Sequence, residues 1–177
     1  AHGALGAPSH PRYSQVTPAA PSLAALAAQG ASLPNSYGIT NSGQANYLAL
    51  FSGSMQGLTF TTCPNAFSGD SLGSQLRSAG MSFVGYSEGL PMGGDASCSS
   101  GLYTRTHAPW VDFTQLTVPS AVGAITSRPF SEFAGVAANS LLPTVAFVIP
   151  NLCNDMHVHT PECFPGSITT GDAWLQN

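Results

Sequence analysis

The run Thr144-Val145-Ala146-Phe147-Val148-Ile149, closed by Pro150, constrains the fold of this chain more than any other segment. It is apolar and rich in β-branched residues, without alternation, which is the pattern of a strand covered on both faces in a parallel sheet. Parallel neighbours need long crossover connections, so helices are expected to flank the strand. Candidates are present. Ser22 can cap a helix over Leu23 to Gln29, with Gly30 past its end. Gln44 to Phe51 has Tyr47, Leu48, Leu50 and Phe51 as an apolar stripe, and Gly53 and Gly57 close it. Asp70 or Ser71 can cap a helix reaching Ala79, with Leu72 and Leu76 one turn apart and Gly80 as the stop. Short helical pieces are expected within 110–140, chiefly 130–138, and a last helix covers Asp172 to Leu175 after Thr170 or Gly171. Ala31 to Thr40 and Met81 to Tyr86 have strand character, whereas 87–109 reads as loop. This alternation defines an α/β class with a largely parallel central sheet flanked by helices. Residues 1–21, rich in Ala, Gly, Pro and His, read as an extended N-terminal arm, which leaves 22–177 as one domain.

Composition removes several classes of function. The 177 residues hold four Arg, no Lys and eight acidic residues, with a formal net charge of −4. Four scattered Arg cannot build a basic patch, so no nucleic-acid partner is expected. No apolar run approaches the ~20 residues of a membrane-spanning helix. Charged residues are 7% of the chain, against about 25% in an ordinary soluble domain. Such a surface suits a secreted, extracellular protein or a subunit packed into an assembly. No basic-then-apolar leader stands at Ala1, so a secreted form is expected to have lost it. Cys63, Cys98, Cys153 and Cys163 form no C-x-x-C pair. An even count in a Lys-free chain points to two disulfides and an oxidising compartment. Chain order favours Cys63 with Cys98 and Cys153 with Cys163; the other pairings, and four buried thiols, stay open.

Sites in α/β folds lie beyond the carboxyl ends of strands, which draws attention to 40–46 and 150–160. In Thr40-Asn41-Ser42-Gly43-Gln44-Ala45-Asn46-Tyr47, Ser42 stands where a helix begins. Free backbone N–H groups there could stabilise a Ser alkoxide and an attached phosphoryl group. Ser42 could equally be an ordinary N-cap. In Asn154-Asp155-Met156-His157-Val158-His159, an extended backbone puts Asp155, His157 and His159 on one side. A carboxylate and two imidazoles, with Glu162 near, could hold a divalent metal ion of unspecified identity. The alternative is a polar loop held by Cys153 and Cys163. His107, in Thr106-His107-Ala108-Pro109-Trp110, is a lone His in a loop, a setting more often structural than catalytic.

Five segments in order carry a resemblance: Tyr47-Leu48-Ala49-Leu50-Phe51-Ser52-Gly53, His107-Ala108-Pro109-Trp110, Leu141 to Asn151, Asn154-Asp155-Met156-His157, and Gly171-Asp172-Ala173-Trp174-Leu175. Together they resemble the bacterial phosphoesterases that include acid phosphatases and non-haemolytic phospholipases C, with an alkaline-phosphatase-like α/β fold. The resemblance implies hydrolysis of small phosphate mono- or diesters through a phospho-enzyme, with a bound metal and histidines stabilising the phosphoryl oxygens. His107 and His157 match histidines expected to contact phosphate, and Gly43 and Asn46 fall in the substrate-binding segment. The family's nucleophile segment reads His-Pro-Ser-Gln-Pro-Asn-Tyr; here it is Asn41 to Tyr47, so Gly43 stands at the nucleophile position and Ser42 one residue early. Ser9 and His10 stand where the family's first strand ends in Glu-Asn, Val158 replaces an Asp, and the family continues beyond the Gly-Asp-x-Trp-Leu segment. The fold is therefore expected to lack its first strand and its C-terminal part, with an exposed sheet edge that invites another chain. The expected function is a secreted phosphoesterase impaired at position 43. The alternatives are a catalytically silent binding or assembly domain and a repurposed metal site at Asp155, His157 and His159.

Overall fold

The computed structural model describes residues 17–31, 33, 36–117, 126–156, 163 and 167–176. Three parallel strands form the central sheet in the order β4-β1-β5, with β1 at Phe83–Ser87, β4 at Ser127–Pro129 and β5 at Val145–Ile149. Phe83 is in register with Val145 and Ser87 with Ile149, so β1 and β5 finish at the same level. A two-residue pair, β2 (Ser99–Ser100) and β3 (Tyr103–Thr104), makes a small antiparallel hairpin.

One face of the sheet carries the core. Along β1 the side chains alternate, so Phe83, Gly85 and Ser87 share a face. Phe83 packs on Phe51 at 5.2 Å and on Phe147 at 5.6 Å between ring centroids, and Trp110 lies 5.9 Å from Phe83. Leu48, Phe51, Trp110, Phe113 and Leu116 complete this layer, which binds the Gly43–Ser52 helix and the Pro109–Asp112 turn to the sheet. Gly85 is required by contact: a Cβ there would sit 2.1 Å from the Trp110 ring. On the other face Tyr86 meets Phe133 at 5.1 Å.

Helix boundaries follow local chemistry. Ser71 caps the Leu72–Ser78 helix in a reciprocal capping box with Ser74, and Gly80, at φ +72°, ends it. The Gly43–Ser52 helix stops at Gly53, in the left-handed region at φ 70°. Ser167 caps the Ile168–Leu175 helix by accepting from the Thr170 N–H. The Pro21–Gln29 helix is different. Its N-cap is Ala20, and the expected Ser22 cap does not form. Instead the Asp172 carboxylate, on the Ile168–Leu175 helix, accepts from the N–H groups of Ser22 at 3.0 Å and Leu23 at 2.8 Å. Of the expected N-terminal arm, Thr17–Ala19 is a 3-10 turn and Pro21 already opens this helix; residues 1–16 lie outside the described residues.

Two expectations about strands change. Within 31–40, 36–38 have no regular structure and 39–40 form a bend. The Ile39 and Thr40 N–H groups go to the Asn46 side chain rather than to a neighbouring strand. Tyr37 and Ile39 are 81% and 65% exposed, so the apolar pattern there covers no core. The helix at Gly43 is thus entered from a loop. β5 is parallel as expected, yet all five residues are half-buried rather than enclosed, because among the described residues it is an edge strand. Its inner groups follow the Val145 N–H to Ser82, so those of Ala146 and Val148 point away from β1. β4, which nothing in the sequence had marked, is the other edge. It is three residues long and ends in Pro129, beside the Arg128–Glu132 ion pair of 2.7 Å.

Burial alone would raise the Asp172 carboxyl, but the N–H bonds from Leu23 and Ser22 outweigh it and hold the group below its ordinary value. A depressed folded value means the cap is fully present above the unfolded carboxyl value, about 4, and is lost as pH falls through the folded one. Hydrogen-exchange protection of the Ser22 and Leu23 amides is expected to fall on acidification below about pH 4, and Asp172→Asn should flatten that dependence. Unchanged protection in the wild type down to pH 2 would contradict this capping role.

Candidate active site

A buried ion pair positions the site. Arg105 and Asp112 have side chains 8% and 2% exposed and meet at 2.9 Å. The rest of the guanidinium donates to the carbonyls of Ala96, Asn65 and Val111 at 2.8, 3.0 and 3.2 Å. Asn65 donates to the second Asp112 oxygen at 3.3 Å and to the Thr62 carbonyl at 2.9 Å. Gln44, at the start of the Gly43–Ser52 helix, exchanges two bonds of 2.8 Å with the Thr62 backbone. Burial pushes the Asp112 carboxyl up, and the Arg105 charge and the bonds from Asn65 and Arg105 draw it part of the way back. The network joins the helix start, the 62–65 loop and the Arg105–His107 turn into one frame. The Cys63–Cys98 disulfide fastens the same loop to residue 98, beside the hairpin.

Ser42 is the N-cap of the Gly43–Ser52 helix by position, with extended backbone, but its side chain makes no capping bond. Its Oγ is buried without a hydrogen-bond partner among the described residues. The first backbone N–H groups of this helix therefore have no side-chain cap, the arrangement that favours an anion. Asn46 spends its whole amide on the preceding turn. Oδ1 accepts from Ile39 and Thr40, and Nδ2 donates to the carbonyls of Thr40 at 2.8 Å and Ser42 at 3.1 Å. Asn46 thus fixes the approach to the helix. Gly38 makes this possible, since a Cβ there would stand 3.2 Å from the Asn46 amide.

Tyr47 and His107 meet with ring centroids 5.2 Å apart, and Nδ1 of His107 lies 3.9 Å from Oδ2 of Asp155. Burial, and next the Asp155 charge, push the Tyr47 hydroxyl above its ordinary value, so it stays a proton donor at physiological pH. Asp155 reaches His107 from the segment that follows β5. There Asn151 Oδ1 accepts from the N–H groups of Cys153 and Asn154, and the Leu152 N–H bonds the Leu102 carbonyl. The Cys153–Cys163 disulfide closes this segment. Both disulfides have the pairing favoured by chain order, so the free-thiol alternative falls.

Residues 43 and 47 are one helical turn apart and share a face, with Cβ positions about 5–6 Å apart in such pairs. Position 43 is thus on the side of Tyr47 and His107, while Ser42 is rotated by about 100°. A Cβ on Gly43 would meet nothing within 4 Å. Of the residues singled out from sequence, His107 and Asp155 come together. Ser42, Gly43 and Asn46 gather at the start of the helix that supplies Tyr47. His157 and His159 lie outside the described residues. Among the described residues no three His, Cys, Asp or Glu side chains come together to hold a metal ion, so no chemical step is drawn through one. Tyr47 was present in a matched segment without a role, and Glu88 was not marked at all; its place directly after β1 was the available signal.

An uncapped helix start can receive an anion, and the same helix brings Tyr47 to the His107–Asp155 pair. The chain belongs to the phosphoesterase family, whose model matches residues 14–177. It is 46% identical over 157 residues to a phosphatidylinositol-3-phosphatase of Mycobacterium tuberculosis, covering 88% of this chain and 48% of that protein. It is 30% identical over 146 residues to a probable acid phosphatase of Kluyveromyces lactis, and 28% identical over 159 residues to an acid phosphatase of Aspergillus fumigatus. The matches span about half the length of the first and about a third of the two fungal proteins. No solved structure matches the chain.

Asp112→Asn should destabilise the protein by about 3–5 kcal/mol, because it leaves the Arg105 charge buried without its partner. Urea denaturation followed by Trp110 fluorescence measures this, and a change under about 1 kcal/mol would mean the pair does not frame the site.

Proposed function

We propose that the chain binds small phosphate esters at the start of the Gly43–Ser52 helix and hydrolyses them slowly, because position 43 lacks a nucleophile. The observation that carries this reading is the shared helix face of Gly43 and Tyr47, with Tyr47 against His107 and His107 near Asp155. The uncapped N–H groups receive the phosphoryl oxygens, and Tyr47 and His107 line the approach. Ser42 supplies a hydroxyl at the helix start. Once its buried Oγ is uncovered by a local shift at the helix start, it takes the phosphoryl group as the ester P–O bond breaks and the alcohol leaves with a proton; water then releases phosphate. Ser42 lies off the catalytic face, so this route is slow. His157 fits the same reading as a second phosphate contact, and Asp155 with His159 as the side chains for a divalent metal. Two disulfides, and no described helix long and apolar enough to cross a membrane, support a secreted protein.

A second reading is a catalytically silent binding or assembly domain. It is favoured by the uncharged outer edge of β5, which has neither the Pro nor the ion pair that guards β4.

Hydrolysis of p-nitrophenyl phosphate separates the two. Slow wild-type turnover is expected, with Ser42→Ala reducing it to background and Gly43→Ser raising kcat by about 100-fold or more, well within the roughly million-fold loss seen when a serine nucleophile is removed. No turnover in either the wild type or Gly43→Ser would favour the silent domain. Turnover that survives Ser42→Ala would remove Ser42 from the mechanism.

A further inference from the structure

At the carboxyl end of β1, Glu88 reaches across to the segment after β5. Its Oε2 accepts from the Asn151 N–H at 2.9 Å, and both carboxylate oxygens accept from the Asn154 side-chain amide, at 3.0 and 2.9 Å. The Glu88 N–H in turn donates to the Ile149 carbonyl at 2.9 Å, which extends the β1–β5 ladder by one step. Among the described residues no Arg or His pairs with Glu88. Its charge is instead balanced by N–H groups, and charge-assisted bonds of this kind are about twice as strong as neutral ones. The carboxylate thus holds the turn at both ends, at Asn151 and at Asn154, immediately before Asp155.

The far side of the turn is held as firmly. Gly171 packs so closely that a Cβ there would lie 2.7 Å from the Asn154 carbonyl and 2.4 Å from the Met156 side chain. Met156 itself has φ 63°, a left-handed conformation that residues with a Cβ rarely adopt. A strained residue next to Asp155 persists only where its surroundings fix it. Asp155 therefore sits between a carboxylate clamp on one side and a close-packed helix on the other.

We infer that Glu88 is a positioning residue: through Asn151 and Asn154 it aims Asp155 at His107 and Tyr47, and so sets the geometry of the phosphate-binding face without touching the substrate. The catalytic part of this inference rests on the hydrolytic reading above; the geometric part does not. Misplacement of reacting groups by about 1 Å is enough to cost about 100-fold in rate.

The test uses Glu88→Ala and Glu88→Gln in the full chain, alone and with Gly43→Ser. Gln keeps one acceptor oxygen and is the conservative rescue. Glu88→Ala is expected to lower kcat for p-nitrophenyl phosphate about 10- to 100-fold with KM changed less than threefold, and Glu88→Gln to recover part of the loss. In parallel, the His107 ring resonances in NMR spectra should shift in Glu88→Ala and return toward wild type in Glu88→Gln, with the melting temperature of Glu88→Gln within a few degrees of wild type. If the chain has no turnover even with Gly43→Ser, the hydrolytic reading fails and the His107 resonances alone decide the positioning role. Unmoved His107 resonances, or a kcat unchanged in Glu88→Ala, would overturn it. Should Glu88→Ala fail to fold, Asn154→Ala, which removes the other half of the clamp, takes its place: shifted His107 resonances support the positioning role and unmoved ones overturn it.

Discussion

The buried pair of Arg105 and Asp112 is the interaction on which the rest of the site depends. Neither charge can be left alone in the interior, and each therefore fixes everything it bonds. Arg105 takes the carbonyls of residues 65, 96 and 111, and Asp112 takes Asn65. Through Thr62 the same network reaches Gln44 at the helix start. His107 is two residues from Arg105, so the orientation of its turn and that of the helix are set by one set of bonds. In a chain with few charges this is an economical use of two of them.

The sheet supplies the second half of the geometry. β1 and β5 end in register, which brings the Glu88 carboxylate to the Asn151 N–H and delivers Asp155 to the His107 side. The helix contributes its uncapped N–H groups and the face shared by residues 43 and 47. That face is why the proposed reading expects position 43 to matter. A hydroxyl at 43 would project toward His107, whereas one at 42 is turned away by about 100°. The open space beside Gly43 shows that packing does not demand glycine there.

Much of this was legible in the sequence, and the exceptions have physical causes. β5 was readable because it is apolar, β-branched and closed by Pro150. Its incomplete burial was not, because an edge strand and a central strand can share one pattern. The apolar positions of 31–40 imitated a strand, but Asn46, which lies beyond them, takes the N–H groups a ladder would need. Ser22 looked like a cap because its type and place were right; Asp172, 150 residues away, does the work instead. Local rules cannot see a partner so distant in sequence. The pairing of His107 with Asp155 was not foreseen, since resemblance gave His107 only as a phosphate contact and spacing gave Asp155 only as a metal ligand; nor was the Glu88 clamp, since a single Glu after a strand has no periodic signature.

The central claim is that the start of the Gly43–Ser52 helix and the Tyr47–His107–Asp155 cluster form one phosphate-sized site. A crystal structure of the chain with tungstate, a phosphate-shaped anion, tests it most directly. The account predicts the anion within hydrogen-bonding distance of the Gly43 N–H, on the side of Tyr47 and His107. Saturating tungstate that leaves this position empty, or that binds only elsewhere on the molecule, would contradict it.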